Sequence, residues 1–509
     1  MKQLIAVAVS VTLSTGLVAS SRADSPVGST NLEKGWITSA LEQISTDRML
    51  ADIETLSGPT FRGRQAGSPE DETSAAFIAN RFSELRLQPL PALPSSDMTY
   101  PISAKEWIRT ASVEAATISH DAILTLAAPG IARPCQAGME FLPVLDSPTA
   151  DLQAPIVFVG YGLSDPPHNI DDYADTDVRN KIVLFLRGKP QQYLGPSSHA
   201  DKERIAKRHG AVAYLTATGP ILTAYEQRRG VAGTPSAIYS TAEPAHRLPG
   251  AWISTAVAEM ILENRTGAHQ RLRKIQEEMN QTGSIRSIET NTVAQMRWTT
   301  TVTPGTLFNV LSIIRGSETY DEEAVVIGAH RDHFGEQAGL LFAGADDNAS
   351  GTAVLLEVAR LLALAPAAPK RSILFASFSG EERGLLGSTL YVTEPIVPLS
   401  KTIAMINVDH AGVGSGRLTV GVTGLEKSFA RQTGELSGLS DKLDVYGFFP
   451  GGDHVPFKEA GVPTITVVSA GVHPHFHQPS DTADTIDPDI LKSVARYVLA
   501  TAWRLANQP

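Results

Sequence analysis

Five short segments in the C-terminal half of the chain carry histidines and carboxylates at places where an apolar strand ends or a helix begins. They are His330 to His333, Asp346 to Gly351, Gly380 to Gly384, Asn407 to His410 and His473 to Asp481. Imidazole nitrogens and carboxylate oxygens are the ligands that Zn²⁺ and similar divalent metals take in proteins. The inventory therefore predicts a metal site built from His, Asp and Glu.

Each segment alone has an explanation that needs no metal. A single His after a strand is usually an ordinary core or surface residue, and Asp347 with Asn348 before a helix is a typical cap. Glu381 and Glu382 at a helix start are equally well explained by the helix dipole. The appearance of all five segments in order, at successive ends of one sheet, is what predicts a functional site.

The elements that position these residues are apolar strands alternating with helices from residue 307 onward. Strands are predicted at 324–328, 372–376, 402–406 and 464–468, with a helix over 351–364. Because the strands are apolar on both faces, we expect an α/β fold with a mostly parallel central sheet flanked by helices. In such sheets, functional residues gather at the carboxyl ends of the strands.

The rest of the chain has a different pattern of apolar residues. Residues 31–87 show helical apolar spacing around a glycine-rich turn at 63–68, and short β-branched runs from about residue 145 indicate a small β-rich unit. A length of 509 residues fits two to four domains. The single cysteine, Cys135, excludes a disulfide framework and cysteine-based zinc sites.

The first 23 residues read as a secretory signal peptide. Lys2 precedes an apolar run over 4–18, and Ser21 to Ala23 supplies a small-residue end. We therefore expect an exported protein, periplasmic or extracellular, without a membrane anchor after cleavage. The formal net charge of −11 argues against nucleic acid and anionic membranes as partners.

Together the segments resemble the exported zinc aminopeptidase family that also contains the glutamate carboxypeptidases. The shared motifs are His330 to Asp332, Asp347 to Gly351, Gly380 to Ser388, Asn407 to Asp409 and His477 to Asp481. The segments 159–162, 171–173 and 180–183 resemble the family's protease-associated domain. The resemblance implies a zinc-dependent exopeptidase fold in which residues 24–144 are the N-terminal part of the peptidase domain, 145–284 an inserted β-rich protease-associated domain, and 285–509 the catalytic domain.

The resemblance also implies a role for each motif residue. Asp347 would bridge two Zn²⁺ ions, or Co²⁺ or Mn²⁺ in their place, with His330 and Asp409 completing one site and Glu382 and His477 the other. Glu381 would act as general base for the hydroxide that the two zinc ions hold. Peptides are the expected substrates, and an aminopeptidase is favoured.

Other residues are predicted to orient the histidine ligands or to bind the substrate. Asp332 and Asp481 are placed to accept the imidazole N–H of His330 and His477. Asp453 is a candidate for binding a substrate amine and Arg331 for binding a substrate carboxylate near the mouth of the site. Two departures from the family matter, Arg331 itself and Phe476, which stands where many relatives have a tyrosine. A donor to the oxyanion would then come from elsewhere, such as His475, or from the metals alone.

Several alternatives stay open at this point. A carboxypeptidase or dipeptidase would use the same site, and a glutaminyl cyclase is a more remote relative. A non-enzymatic binding protein on this fold is disfavoured because all five ligand positions and Glu381 are present. The sequence contains no Gly-x-Ser-x-Gly motif, which leaves a serine hydrolase without an evident nucleophile.

Overall fold

The computed structural model describes residues 27–90, 104–223, 226–227, 233–263, 271–283, 287–317 and 320–508. The predicted signal peptide, residues 1–23, lies outside the described residues. Within these ranges, no helix combines the length and apolar character needed to cross a membrane.

The described helices and strands alternate along most of the chain. The helices are α1 (Val27–Glu42), α2 (Thr46–Leu56), α3 (Pro69–Glu84), α4 (His199–Arg208), α5 (Thr255–Glu263), α6 (Arg271–Thr282), α7 (Gly351–Ala363), α8 (Leu386–Thr393), α9 (Lys427–Ser437), α10 (His454–Glu459) and α11 (Pro488–Asn507). The strands are β1 (Gln88–Pro89), β2 (Ile108–Ile118), β3 (Ile123–Ala128), β4 (Ile131–Pro134), β5 (Phe141–Pro143), β6 (Ala150–Phe158), β7 (Ser164–Asp165), β8 (Ile170–Asp171), β9 (Ile182–Leu186), β10 (Ala213–Ala217), β11 (Gly250–Ile253), β12 (Ile288–Trp298), β13 (Thr300–Ile314), β14 (Tyr320–His330), β15 (Gly335–Gln337), β16 (Leu340–Phe342), β17 (Arg371–Phe378), β18 (Thr402–Val408), β19 (Leu418–Thr423), β20 (Leu443–Tyr446) and β21 (Thr464–Ser469).

A nine-stranded sheet forms the centre of the C-terminal half. Its order is β1-β13-β17-β14-β18-β21-β19-β20, with β2 paired to β13. The strands β17, β14, β18 and β21 are parallel to their neighbours in this series, whereas β13 pairs antiparallel with β17 and β19 with β21. The predicted α/β fold with parallel strands flanked by helices is confirmed, and all four predicted strands lie in the parallel part of this sheet.

Both faces of this sheet are covered, as the apolar strands predicted. Val325 and Ile327 of β14 pack into a core shared with α2, α7 and α11, while Val326 between them packs into a second core with Tyr391 of α8 and Phe457 of α10. Successive side chains of a strand point to opposite faces. A strand buried on both faces must therefore be apolar at every position.

A second, eight-stranded sheet lies in the middle of the chain, in the order β4-β3-β12-β6-β9-β10-β11-β5. It has its own apolar core with α5 and α6. The sheet extends beyond the predicted 145–284 segment on both sides, because β3, β4 and β5 precede it and β12 follows it. β12 pairs with β6 of this sheet although it lies beyond residue 284, and it leads almost directly into β13 of the central sheet. The assignment of this eight-stranded sheet to a protease-associated domain stays a prediction.

The N-terminal helices are tied to the central sheet by a turn. The side chain of Arg64, in the glycine-rich turn, is fully buried and donates hydrogen bonds to the carbonyls of Leu56, Arg331, Ala343 and Gly344. One guanidinium thus joins the end of α2 to the end of β14 and to the loop before Asp347. The turn that the sequence showed only as a glycine-rich motif supports the edge of the sheet where the predicted ligands lie.

Candidate metal centre

The register of the parallel strands brings the predicted ligands to one edge of the sheet. β14 lies between β17 and β18, and His330 at its end is level with Phe378, the last residue of β17. Asp409 directly follows β18. The Glu381 and Glu382 segment after β17 and the His477 segment after β21 complete the same edge.

One group of ligand atoms is formed by His330, Asp347 and Asp409. The Nε2 atom of His330 lies 3.4 Å from Oδ1 of Asp347 and 3.4 Å from Oδ1 of Asp409. All three residues are buried, yet His330 Nε2 and Asp409 Oδ1 have no hydrogen-bond partner among the described residues. A buried polar atom without a partner destabilises a fold by about 1–3 kcal/mol. A cation between these atoms would satisfy them.

A second group is formed by Asp347, Glu382 and His477. The Nε2 atom of His477 lies 3.1 Å from Oδ2 of Asp347 and 3.4 Å from Oε2 of Glu382. Two atoms that each lie about 2.0–2.1 Å from one tetrahedral zinc ion are separated by roughly 3.3 Å. The separations in both groups match this value, so the residues present fit divalent metals.

Asp347 belongs to both groups and presents one carboxylate oxygen to each. It lies in the irregular turn Ala345–Ser350, and the peptide bond from Asp347 to Asn348 is cis, as the family resemblance suggested. The structure thus brings together the five residues predicted as ligands, with Asp347 between the other two pairs.

The two histidines are oriented by backbone carbonyls. His477 donates its Nδ1 hydrogen to the carbonyl of Ala237 at 2.9 Å, and Nδ1 of His330 lies 3.3 Å from the carbonyl of Asp332. A carbonyl can only accept, so each Nδ1 carries a hydrogen, and in the neutral ring each Nε2 then has the lone pair that a metal takes. These are the ring orientations that metal-binding histidines need.

The predicted roles of Asp332 and Asp481 are corrected by the structure. Oδ1 of Asp332 lies 3.7 Å from Nδ1 of His330, too far for a hydrogen bond, and its carboxylate instead accepts the backbone N–H groups of Glu381 and Glu382 at 3.2 and 3.4 Å. Asp481 accepts the backbone N–H groups of Asp346 and Asp347 at 2.8 and 3.0 Å. Both carboxylates therefore fix backbone next to predicted ligands. Spacing along the chain could not distinguish a ring N–H from a backbone N–H as the partner.

Glu381 lies beside the first group, with a carboxylate oxygen close to His330 and Glu382. Burial raises its pKa to about 8, His330 opposes this shift, and Asp453, Asp409 and Asp347 reinforce it. A carboxylate whose pKa is raised toward neutrality is a better proton acceptor and donor near neutral pH. The placement agrees with the predicted role of general base.

Arg331 does not lie at the mouth of the site. Its side chain is fully buried and pairs with Asp71 of α3, with 2.5 Å between Nη2 and Oδ1. It also donates to the Ser74 hydroxyl and to the carbonyls of Ser377 and Phe378. The prediction that Arg331 binds substrate is wrong: its length lets it reach inward from the strand end to a carboxylate on an N-terminal helix.

Asp453 is also inside the protein, with no exposed surface. Burial raises its pKa to about 7; His330 opposes this shift, whereas Asp332 and Asp409 add to it. A substrate amine cannot reach a carboxylate without exposed surface, so the predicted contact with substrate is corrected. Asp453 instead acts on the centre electrostatically, since it also raises the pKa of Glu381.

Two further histidine contacts were missed by sequence reasoning. His333 donates its Nδ1 hydrogen to Oε1 of Glu382 at 2.8 Å, and burial lowers its pKa well below the usual value. Asp346, His410 and His473 form another buried group, but Nδ1 of His473 lies 2.7 Å from Oδ2 of Asp346. That separation is a hydrogen bond and is shorter than the ligand separations above. All four residues stand within the motif segments, but no spacing signal assigned them a partner.

An apolar cavity of about 140 Å³ adjoins this centre. Its wall includes His410 and Phe476 together with Tyr446, Phe448 and Phe449. The Phe476 ring stacks on His477 with 3.7 Å between ring centroids. His475, predicted as a possible donor, has its Nδ1 hydrogen-bonded to the Ser480 hydroxyl at 2.9 Å.

The part of the chain that carries the candidate site matches a known protein family. Residues 309–502 match the family model described as Peptidase family M28. This part of the chain is therefore similar to the M28 peptidases, and the resemblance to zinc aminopeptidases and glutamate carboxypeptidases is confirmed.

Individual relatives are distant. A Zea mays protein named "Probable glutamate carboxypeptidase VP8" is 26% identical over 90% of this chain and 66% of its own length. Aminopeptidase YwaD of Bacillus subtilis is 28% identical over 39% of this chain and 45% of its own length. The matched part thus spans between about half and two thirds of these relatives.

Among solved structures, the aminopeptidase from Aneurinibacillus sp. strain AM-1 superposes with a TM-score of 0.63. It is 21% identical and covers 93% of this chain and 96% of its own. At that identity the likeness establishes the fold.

Proposed function

We propose that this protein is an exported metal-dependent exopeptidase, favoured to be an aminopeptidase that binds two Zn²⁺ ions, or Co²⁺ or Mn²⁺ in their place. The observation that carries the proposal is Asp347, whose two carboxylate oxygens face two separate groups of ligand atoms. His330 and Asp409 would hold one metal with Asp347, and Glu382 and His477 the other.

The metals would polarise a carbonyl and lower the pKa of a bound water when present. Glu381 accepts the water's proton and delivers it to the leaving amine. Its backbone is held by the Asp332 carboxylate, which fixes the direction of its side chain. His410, whose Nε2 lies 3.7 Å from Oδ2 of Asp347, is better placed than His475 to donate to the reacting carbonyl in the absence of a tyrosine at Phe476.

Carboxylates around the centre support recognition of a substrate amine. Glu381 and Asp409 both lie within it, and Arg331, the cation predicted to bind a substrate carboxylate, is neutralised by Asp71 in the interior. Relatives named as aminopeptidases agree with this choice. The adjoining apolar cavity fits an apolar side chain of the terminal residue, because burying such a side chain contributes about 1.5–3 kcal/mol.

A carboxypeptidase is the second candidate, and Arg383 favours it. The Nη1 atom of Arg383, next to Glu382 in the chain, is buried without a hydrogen-bond partner among the described residues. Its guanidinium lies 4.8 Å from the Tyr239 ring centroid. Arg383 is partly exposed, unlike Arg331 and Asp453, so a substrate carboxylate can reach its guanidinium.

Export and the accessory domain belong to the proposal as well. The apolar leader supports export, which N-terminal sequencing of the processed protein after Ala23 would test. The three segments that resemble a protease-associated domain include parts of β8 and β9 in the middle of the chain, which supports that assignment.

The experiment is hydrolysis of matched peptides with free, N-acetylated or C-amidated ends, each beginning with Leu or Gly, before and after chelation. We expect chelator-sensitive release from free N-termini, unaffected by C-amidation and faster for Leu than for Gly. Cleavage of N-acetylated but not C-amidated peptides would instead establish the carboxypeptidase. No hydrolysis of any peptide would favour a binding protein.

A further inference from the structure

The eight-stranded sheet and the helices packed on it form what we call the middle unit. One segment of this unit contacts the two chain segments that carry Glu382 and His477 of the second ligand group. This 235–241 loop (Pro235 to Thr241) follows the part of the chain that forms β10 and precedes β11. Its Ala237 accepts the Nδ1 hydrogen of His477 at 2.9 Å, and the N–H of Ala237 donates to the carbonyl of His477 at 3.0 Å. Ala237 thus fixes both the ring and the backbone of one predicted ligand.

The backbone of His477 needs such support. Its φ is +56°, in the left-handed region that a residue with a side chain adopts at a cost of about 1–2 kcal/mol. The neighbouring Gln478 also attaches this segment to the 235–241 loop. Its side-chain amide donates to the Pro235 carbonyl at 2.8 Å and lies 3.1 Å from the Ser236 hydroxyl.

The same loop also contacts the segment of Glu382. The Tyr239 ring carries the Arg383 guanidinium on its face, and Tyr239 packs on Phe334 with 5.8 Å between ring centroids. Phe334 in turn lies edge-on to His477 at 4.7 Å. The loop therefore borders both residues that complete the second ligand group.

The loop is anchored in the middle unit by its other end. Asp146, which is buried, accepts the N–H of Ser240 at 2.7 Å and the N–H of Thr241 at 3.1 Å, and the N–H of Leu145 donates to the Ile238 carbonyl at 2.9 Å. Among the described residues, the first ligand group has no such hydrogen bond to the loop, and the carbonyl that orients His330 belongs to Asp332 of the same strand end.

We propose that the 235–241 loop is a positioning part of the metal centre, which makes the affinity of the Glu382 and His477 site, and not that of the His330 and Asp409 site, depend on the middle unit. The inference rests on the proposed two-metal function. Loss of a hydrogen-bond partner behind a metal ligand typically weakens binding 10- to 100-fold.

The test is zinc stoichiometry and affinity of the whole chain, by elemental analysis after dialysis and by competition with a chelator. Asp146→Ala loosens the loop from within the middle unit, and Gln478→Ala removes its contact with the ligand segment. Thr290→Val is the matched control, because it removes a side-chain hydrogen bond to the Ile156 carbonyl in the same sheet. Thermal unfolding in chelator shows whether each metal-free variant is as stable as the control.

We expect both variants to keep one tightly bound zinc and to bind the second at least 10-fold more weakly, with a smaller zinc-induced rise in unfolding temperature than the control shows. Two zinc ions held with wild-type affinity in both variants would overturn the inference, as would parallel weakening of both ions. A wild-type chain that binds no zinc would overturn the proposed function itself.

Discussion

Glu381 and Glu382 are adjacent carboxylates to which the structure gives different surroundings. Glu382 has an oxygen 3.4 Å from His477 Nε2 and accepts from His333, whereas Glu381 is raised in pKa by burial among other carboxylates. These surroundings support the proposal that Glu382 is a metal ligand and Glu381 a proton carrier.

Replacing each of the two with glutamine should separate the roles. Glu381→Gln keeps the volume and removes the proton acceptor, so kcat/KM should fall by about 10²- to 10⁴-fold with metal content unchanged. Glu382→Gln should lose metal from one site. Peptide hydrolysis and elemental analysis of both variants check this, and near-full activity of metal-loaded Glu381→Gln would contradict the assignment.

The sequence predicted the ligand set because each ligand stands in a recognisable motif. It did not predict which atoms Asp332 and Asp481 contact, since separations of two residues from His330 and four residues from His477 permit a bond to the ring or to a neighbouring backbone. It also missed the Ala237 carbonyl, because a backbone group of a residue distant in the chain leaves no trace in side-chain chemistry.

At the scale of elements, the buried pair of Arg331 and Asp71 joins β14 to α3. Asp71 also accepts the Ser379 hydroxyl at 2.8 Å and the N–H of Gly67 at 3.2 Å, and burial raises its pKa to about 6. The pair thereby links the helix and the ends of two strands behind the metal centre.

Arg331→Met should lower the free energy of unfolding by about 3–5 kcal/mol, because it leaves the Asp71 charge buried without its partner. The double variant Asp71→Asn/Arg331→Met should regain part of the loss. The control is Arg62→Met, whose partner Glu336 and own side chain are both about half exposed, and which should change stability by about 0–1 kcal/mol. Urea unfolding measures all three, and equal losses for Arg331→Met and Arg62→Met would refute the role.

A second contact between elements joins α4 to the 235–241 loop. Burial raises the pKa of Glu203 to about 7, from an ordinary value of 4.5, although it accepts from the Ser240 hydroxyl and from the N–H of Leu248. Between pH 4.5 and 7 the folded chain holds a proton that the unfolded chain has lost, so this group's contribution to stability falls as pH rises through that window.

Glu203→Gln should remove this loss of stability with rising pH, because glutamine does not titrate. The wild-type chain should lose on the order of 3 kcal/mol of unfolding free energy relative to Glu203→Gln between pH 4.5 and 8. Urea unfolding at both pH values checks the difference, with exposed Glu277→Gln as the control that should follow the wild type. Parallel profiles for wild type and Glu203→Gln would count against a protonated Glu203.

At the scale of the whole molecule, two sheets with separate cores meet at the candidate metal centre. The central sheet was predictable, because strands that are apolar on both faces, such as β14 and β17, must be buried between two layers of helices. The limits of the middle sheet were not, because β12 alternates polar and apolar residues and runs into β13 without a turn motif. Contacts between the two sheets depend on packing that local patterns do not encode.

Zinc stoichiometry of the wild-type chain, measured with hydrolysis of a free-amine peptide during chelation and zinc readdition, tests the central claim most directly. The account predicts two zinc ions per chain, loss of hydrolysis when they are removed and recovery when they return. A chain that hydrolyses the peptide fully with less than one metal bound would contradict it.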